Sequence, residues 1–287
     1  MASIADRIQL VRQESAKLSG YLGQLAPDRW QRQSACDRWQ VGDVVAHLIG
    51  GAQLYCDSIA RGLKGHTSPG PGRPPPGSVD SAMLGEAIAA LAVSSRQRLG
   101  DRLLDAFNTS SEQLHRLFEG LCSEDWDKLC YHPVSLFPAR FFADLRLFEL
   151  TFHGWDIRSG VESRAILSPE PLSVIVPMIA ELAGRLITAD LEPGHTATHR
   201  FRLTGAVSRD YDLSAGANGV IVSAAGSSMP DATIRCDAGH FGLLMTGRLD
   251  FDAGVAEGRL VLEGSSALHP EFGSWFKGVL RPGPAVL

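Results

Sequence analysis

One run of fourteen residues, DLRLFELTFHGWDI at positions 144–157, constrains this chain more than any other. Leu145, Phe148, Phe152 and Trp155 recur at helical spacing, so the run reads as an amphipathic helix. Glu149 and His153 stand four apart and leave the same face, one turn above the other. With Leu145 they form one row, flanked by Phe148 and Phe152. A carboxylate and an imidazole inside an apolar stripe are costly to bury unless something pairs with them. Two resolutions are open at this point. Either ordinary hydrogen-bond partners arrive from another helix, or a divalent cation sits there and a third ligand must come from elsewhere in the chain.

Composition sets the outer bounds. At 287 residues and 44% hydrophobic content the chain is long enough for one large domain or two modest ones with real cores. A net charge of −5 argues against nucleic acid or an anionic membrane as the main partner. No apolar run reaches transmembrane length, and the N-terminus MASIADRIQLVRQES reads as an amphipathic helix without a signal-peptide apolar region. The five cysteines, Cys36, Cys56, Cys122, Cys130 and Cys236, are scattered with no CxxC, which reads as free thiols in a reducing cytoplasm.

In chain order, Ile4, Ile8, Val11, Leu18, Leu22 and Leu25 place a helix over 3–25. A second follows Trp39, marked by Val41, Val44, Val45, Leu48, Tyr55, Ile59 and Leu63. Residues 65–78, with five prolines and four glycines, read as an extended and partly mobile loop carrying a solvated His66. A long helical region covers 79–121, with a break expected near Ser94, Gly100 or Asn108. Residues 123–138 read as irregular, Pro138 starts the opening helix and Gly160 ends it. A further helix over 169–189 carries the chain out of this helical part. From about Thr198, short alternating runs separated by Gly, Asn and Asp read as strands: HRFRLTG, RDYDLSA, GVIVSAA, DATIRCDA, GRLDFDA and GRLVLEG. Helical pieces are expected at 238–245 and 267–279. The fold class is therefore two-domain: a four-helix bundle over 1–190, then a smaller α+β domain over 191–287.

Helical bundles build metal sites from inward-facing side chains on neighbouring helices. His47, on the second helix, is the third ligand that Glu149 and His153 require. Two imidazoles and one carboxylate form the ligand set of a catalytic zinc site with one open position. Zinc is the first choice, and nickel, iron or manganese are alternatives. Asp156, three past His153, and Asp43, one turn before His47, are placed to orient imidazoles or to serve as surface and capping residues. Cys56, more than two turns beyond His47, is not counted as a ligand. His115, His132, His195, His199, His240 and His269 lack a paired spacing and read as structural or solvated.

These motifs carry a resemblance. RWQVGDVVAHLIGG at 38–51 is similar to the W-x-V-x-D-V-x-x-H-L signature of DinB-like metal-binding bundles, in particular the mycothiol-dependent maleylpyruvate isomerase family. ADLRLFELTFHGWDI at 143–157 resembles that family's R-x-x-E-x-x-x-H-x-x-D segment, and the C-terminal part resembles the sterol-carrier-like domain that often follows the bundle. The resemblance implies His47, Glu149 and His153 as metal ligands, with Arg146 and Asp156 at neighbouring catalytic positions. It also implies a zinc enzyme that takes mycothiol as a co-substrate and a small electrophile as its second partner. A metal-coordinated thiol is deprotonated at neutral pH, so one site can serve two reactions. The thiolate can displace a leaving group, which is S-transfer and is placed first, or add to a double bond and be eliminated after rotation, which is cis–trans isomerisation. Arg248 of the C-terminal domain and Trp39 are the groups assigned to the thiol, Arg248 also as a catalytic residue. Two other classes remain as alternatives: a non-catalytic lipid- or small-molecule-binding protein, and a metal hydrolase using Asp43 or Asp156 as base.

Overall fold

A computed structural model describes residues 2–162, 164–186, 196–216, 219–263 and 272–276. The chain divides into two compact units, one over residues 2–167 and one beginning at Ser168. None of the described helices is long and apolar enough to cross a membrane.

The first unit is helical. Helix α1 (Ile4–Leu22) starts on a capping box in which Ser3 and Asp6 satisfy each other's backbone N–H, and it buries Val11, Leu18 and Leu22. Helix α2 (Val41–Gly62) starts on a second box between Gln40 and Asp43. The region 79–121 breaks at Gly100, whose φ of +54° is a left-handed conformation that only glycine adopts cheaply. That turn separates α3 (Ser81–Leu99) from α4 (Leu103–Glu119). Helix α5 (Ala139–Ser159) follows Pro138 as expected. Helices α1, α4, α2 and α5 pack in a ring, each against two others, and α3 lies against α2. The core they enclose contains Val44, Val45, Leu48, Phe107, Leu114, Phe142, Leu145 and Phe152, all essentially inaccessible.

Two expectations for this unit are corrected. Residues 123–138 are not wholly irregular: β1 (Leu129–Tyr131) pairs antiparallel with β2 (Leu136–Pro138) in a small hairpin. The proline-rich loop is tied down rather than extended. Tyr131 Oη donates to Pro74 O at 2.8 Å, Gly77 N donates to Pro133 O at 2.8 Å, and Arg73 pairs with Asp57 at 2.7 Å.

The second unit takes its first helix from residues that the sequence reading placed in the first domain. Helix α6 (Leu172–Leu186) packs on β5 (Gly219–Ala224) and α7 (Ala238–Met245), so the junction falls at residues 167–168. Residue 190, the expected boundary, lies outside the described residues, as do His195 and His269. The sheet runs in the order β5-β4-β3-β6-β7, with β3 (Ala197–Thr204) at its centre. Strands β4 (Asp210–Gly216) and β5 extend it as an antiparallel meander, β6 (Ala232–Asp237) runs parallel to β3, and β7 (Val261–Glu263) closes the far edge. GRLDFDA is not a strand: Asp250 caps Ala253 N and starts helix α8 (Phe251–Ala256). Of the expected helix over 267–279, only Phe272–Phe276 is described, as a 3-10 turn.

Alternation along β3 explains why it is central. Ala197, His199, Phe201 and Leu203 point inward, where Phe201 meets Phe241 at 5.2 Å between ring centres and His199 stacks on Phe272 at 4.3 Å. Arg200 and Arg202 point the other way, and their cross-strand partners Asp212 and Asp210 carry the opposite charge. Arg200 and Asp212 form a bidentate pair at 2.7 and 2.9 Å, and Asp212 also accepts from Gly226 N. The Arg200 hydrogen bonds hold the Asp212 carboxyl below the usual range, against the opposing effect of burial. Asp212→Ala should therefore destabilise this unit by about 1–3 kcal/mol in urea unfolding at pH 7. The depressed carboxyl contributes stability that is present above its unfolded value of about 4 and lost as pH falls through the lower folded-state value, so the mutant penalty should shrink in acid.

Candidate metal centre

The candidate centre lies entirely in the helical unit, where one row on α2 faces one row on α5. On α2 the row is His47, Gly51 and Tyr55 at four-residue steps; on α5 it is Arg146, Glu149, His153 and Asp156. His47 Nε2 lies 3.7 Å from Glu149 Oε1, and their side chains keep 14% and 13% of their exposure. The rings of His47 and His153 meet edge to face at 4.9 Å between centres. The three side chains expected to converge from two distant segments are thus brought together. Gly51 makes the space for this: a Cβ there would come within 3.0 Å of Glu149 Oε2. The carboxylate rests on bare backbone.

Behind the imidazoles stands an outer layer. His153 Nδ1 is 2.9 Å from Asp156 Oδ2, and because a carboxylate has no proton to give, that ring nitrogen is the donor. A cation held by His153 would then meet Nε2. Cys36 Sγ lies 3.4 Å from the same Asp156 oxygen. Cys36, His153 and Asp156 are all buried and their donor atoms lie within 4.8 Å of one another. Trp39 is 2% exposed, and its ring stands 5.1 Å from that of His47 and 6.1 Å from that of His153.

Asp156 occupies the orienting position expected for it, but Asp43 does not. Its Oδ2 accepts from Gln40 N in the helix cap and its Oδ1 pairs with Arg96 at 2.5 Å, so its oxygens serve the α2 N-terminus instead of His47. Arg146, expected at a catalytic position beside the ligands, does not face solvent. It is fully buried, donates from Nη1 to Leu48 O at 2.7 Å and from Nη2 to Ser111 Oγ at 3.4 Å, and lies 3.8 Å from Glu149 Oε2. It ties α5 to α2 and α4 and supplies positive charge beside the carboxylate. Arg248 belongs to the second unit, in the turn after α7, where Nη1 reaches Thr246 O at 3.5 Å.

Burial alone would raise the Glu149 carboxyl; His47, Arg146 and His153 outweigh it and bring it down to about 2. His132, read from sequence as structural or solvated, lies deeper in the same cluster, against Tyr55 and Phe142. Burial pushes it down to about 4, with the Glu149 charge pulling the other way, so it is neutral at pH 7. Tyr55 is pushed well up by burial and then by Glu149. Sequence reading missed Cys36, Gly51, Tyr55 and His132 as neighbours of the centre. The four-residue step from His47 through Gly51 to Tyr55 could have signalled two of them; no spacing signals Cys36.

The donor set suits a divalent cation. Glu149 Oε2 is buried and makes no hydrogen bond, although two imidazoles and a guanidinium surround the carboxylate. An oxygen left in that state is costly unless something positive binds it. Two neutral imidazoles and a carboxylate are the usual ligands of a catalytic zinc.

These features define a class: a helical protein with a candidate two-histidine, one-carboxylate centre, followed by an α+β unit built on a five-stranded sheet. The family model for the mycothiol maleylpyruvate isomerase N-terminal domain matches residues 11–158, and the SCP-2 sterol transfer family model matches residues 178–277. The chain belongs to the mycothiol-dependent maleylpyruvate isomerase family. Its fold matches the crystal structure of a mycothiol-dependent maleylpyruvate isomerase at a TM-score of 0.64 and 14% identity, over 94% of this chain and 96% of that one. A mutant of that isomerase matches equally, at 0.64 and 14% over the same shares. No curated protein matches the chain in sequence.

Two substitutions probe the centre and its support. Gly51→Ala should leave the fold intact or slightly firmer, since alanine favours a helix interior by about 0.5–1 kcal/mol. Its methyl group displaces the Glu149 carboxylate, so zinc affinity measured by chelator competition should fall about 10-fold. Arg146→Met leaves the carboxylate without its guanidinium and should cost about 3–5 kcal/mol in urea unfolding.

Proposed function

We propose that this protein is a metal-dependent enzyme that uses a small thiol, mycothiol, to isomerise a small unsaturated acid between cis and trans forms. The observation that carries the reading is the convergence of His47, Glu149 and His153 around an unsatisfied carboxylate oxygen. It supports this reading in a chain whose fold follows a mycothiol-dependent maleylpyruvate isomerase over nearly its whole length. His47, Glu149 and His153 would hold the metal, with zinc the first choice and nickel, iron or manganese the alternatives. When bound, the cation lowers the pKa of a thiol sulfur so that thiolate prevails at neutral pH.

The chain's own residues prepare the site. Asp156 holds the His153 ring by its Nδ1 proton. Trp39 walls the two imidazoles and keeps water from their faces. Glu149 stays ionised throughout the neutral range. Arg248, in the second unit, is proposed separately as an anion-recognising group on the chemistry of its guanidinium. In the reaction, sulfur forms a bond to one alkene carbon as the π electrons shift onto the conjugated acyl group. Rotation about the resulting single bond follows, and loss of sulfur restores the alkene and the thiol. The thiol is not consumed.

S-transfer, placed first on the sequence, is the second reading, since the same site serves both reactions and the electrophile decides between them. The likeness favours isomerisation. Incubation with zinc, mycothiol and maleylpyruvate, followed by ultraviolet absorbance and thiol titration, tests the proposal. Turnover with full thiol recovery is expected, and thiol consumed one for one with substrate would establish S-transfer instead. His47→Ala and Glu149→Gln should each lower turnover more than about 100-fold; full activity in either would remove the metal role. A protein that never holds stoichiometric metal but copurifies with lipid would return the case to a binding protein.

A further inference from the structure

The loop at residues 33–40 is stitched together far more densely than a simple connection between helices needs. Gln33 Nε2 donates to Cys36 O at 2.5 Å and to Trp39 O at 3.0 Å. Ser34 Oγ donates to Trp39 O at 2.7 Å and accepts from Cys36 N at 3.0 Å. Ala35 N donates to Asp156 O at 3.0 Å, which docks the loop onto the last turns of α5. The outcome of this stitching is the placement of two side chains. Trp39 stands against the imidazoles, and Cys36, wholly buried, sets Sγ 3.4 Å from Asp156 Oδ2 and 4.0 Å from His153 Nδ1.

We propose that Cys36 is a positioning residue for the metal centre, acting through Asp156 on His153. The inference rests on the metal-site reading above. The Cys36 S–H donates to Asp156 Oδ2, the same oxygen that accepts the Nδ1 proton of His153. Two donors on one oxygen fix the rotation of the carboxylate. A carboxylate fixed in this way holds the imidazole plane and keeps its proton on Nδ1, so Nε2 carries the lone pair that ligates. The thiol sits too deep to act as a nucleophile toward a solvent-borne substrate, and its shared contact with Asp156 and His153 accounts for its burial. A metal ion captured directly by Cys36, His153 Nδ1 and Asp156 is the competing arrangement of the same atoms, and it would abolish the Asp156–His153 hydrogen bond.

The test uses the full-length protein without any added thiol and reads zinc affinity by chelator competition and the visible spectrum of the cobalt(II)-substituted form. Cys36→Ala should weaken zinc binding about 10-fold and shift the cobalt bands. Cys36→Ser, which restores a hydroxyl donor, should return both to near the wild-type values. Equal effects of the two variants, or no effect of Cys36→Ala, would overturn the proposal. So would a sulfur-to-cobalt charge-transfer band in the wild type that Cys36→Ala removes, because the thiol would then ligate directly. Thermal unfolding of each variant separates lost affinity from lost fold. A wild type that holds no zinc, or holds it equally after His47→Ala, ends the metal-site reading itself. Zinc bound by the wild type and lost in His47→Ala but unchanged in Cys36→Ala ends this inference alone.

Discussion

The first unit is arranged around one buried carboxylate. Moving an ionised group out of water costs several kcal/mol even after the protein relaxes around it. Glu149 is stable there because His47, Arg146 and His153 surround it. Arg146 is bound in turn to a carbonyl of α2 and a hydroxyl of α4. The charge that prepares the centre is thus also a cross-link among three helices. Chemistry and folding draw on the same few atoms, and a change at Arg146 cannot be confined to either.

The electrostatics divide the buried groups by task. Glu149 is held ionised, His132 is held neutral and the Tyr55 phenol is held protonated. One anion in a ring of donors, with neutral groups filling the deeper space, is the pattern expected where a dication completes the charge balance. The outer carboxylate, Asp156, is engaged instead by His153, whose Nδ1 lies 2.9 Å from Oδ2.

Much of this was legible in the sequence, and the limits have physical causes. The row Leu145, Glu149, His153 and the partner His47 could be read because helical periodicity converts spacing into a shared face. Strand β3 could be read because its alternation is clean. The α3–α4 break was among the places expected because Gly100 is a strong local signal. Asp43 was ambiguous, since a carboxylate in the first turn of a helix serves the cap as well as a nearby imidazole, and the cap prevailed with Arg96. Helix α8 looked like a strand because its six residues are too few to show a period, and only the Asp250 cap distinguishes it. The hairpin at Cys130 was missed for the same reason of length. Cys36 could not be found from spacing at all, because a loop fixed by side-chain hydrogen bonds leaves no periodic trace. Helix α6 was recognised as a helix, but its assignment to the second unit depends on packing against β5 and α7.

The parallel pairing of β3 with β6 has a consequence for how the second unit forms. Phe201 aligns with Ile234, so the central ladder cannot close until thirty-odd residues have been arranged between them. Closing such a span is entropically slow compared with zipping the neighbouring meander, and folding rates fall as contacts become less local. The α2–α5 pairing of the first unit spans still more chain, but its helices can each form locally before they dock. During synthesis, then, the sheet is the late step, and its half-built edge at β3 is the surface that a nascent chain most needs to keep covered.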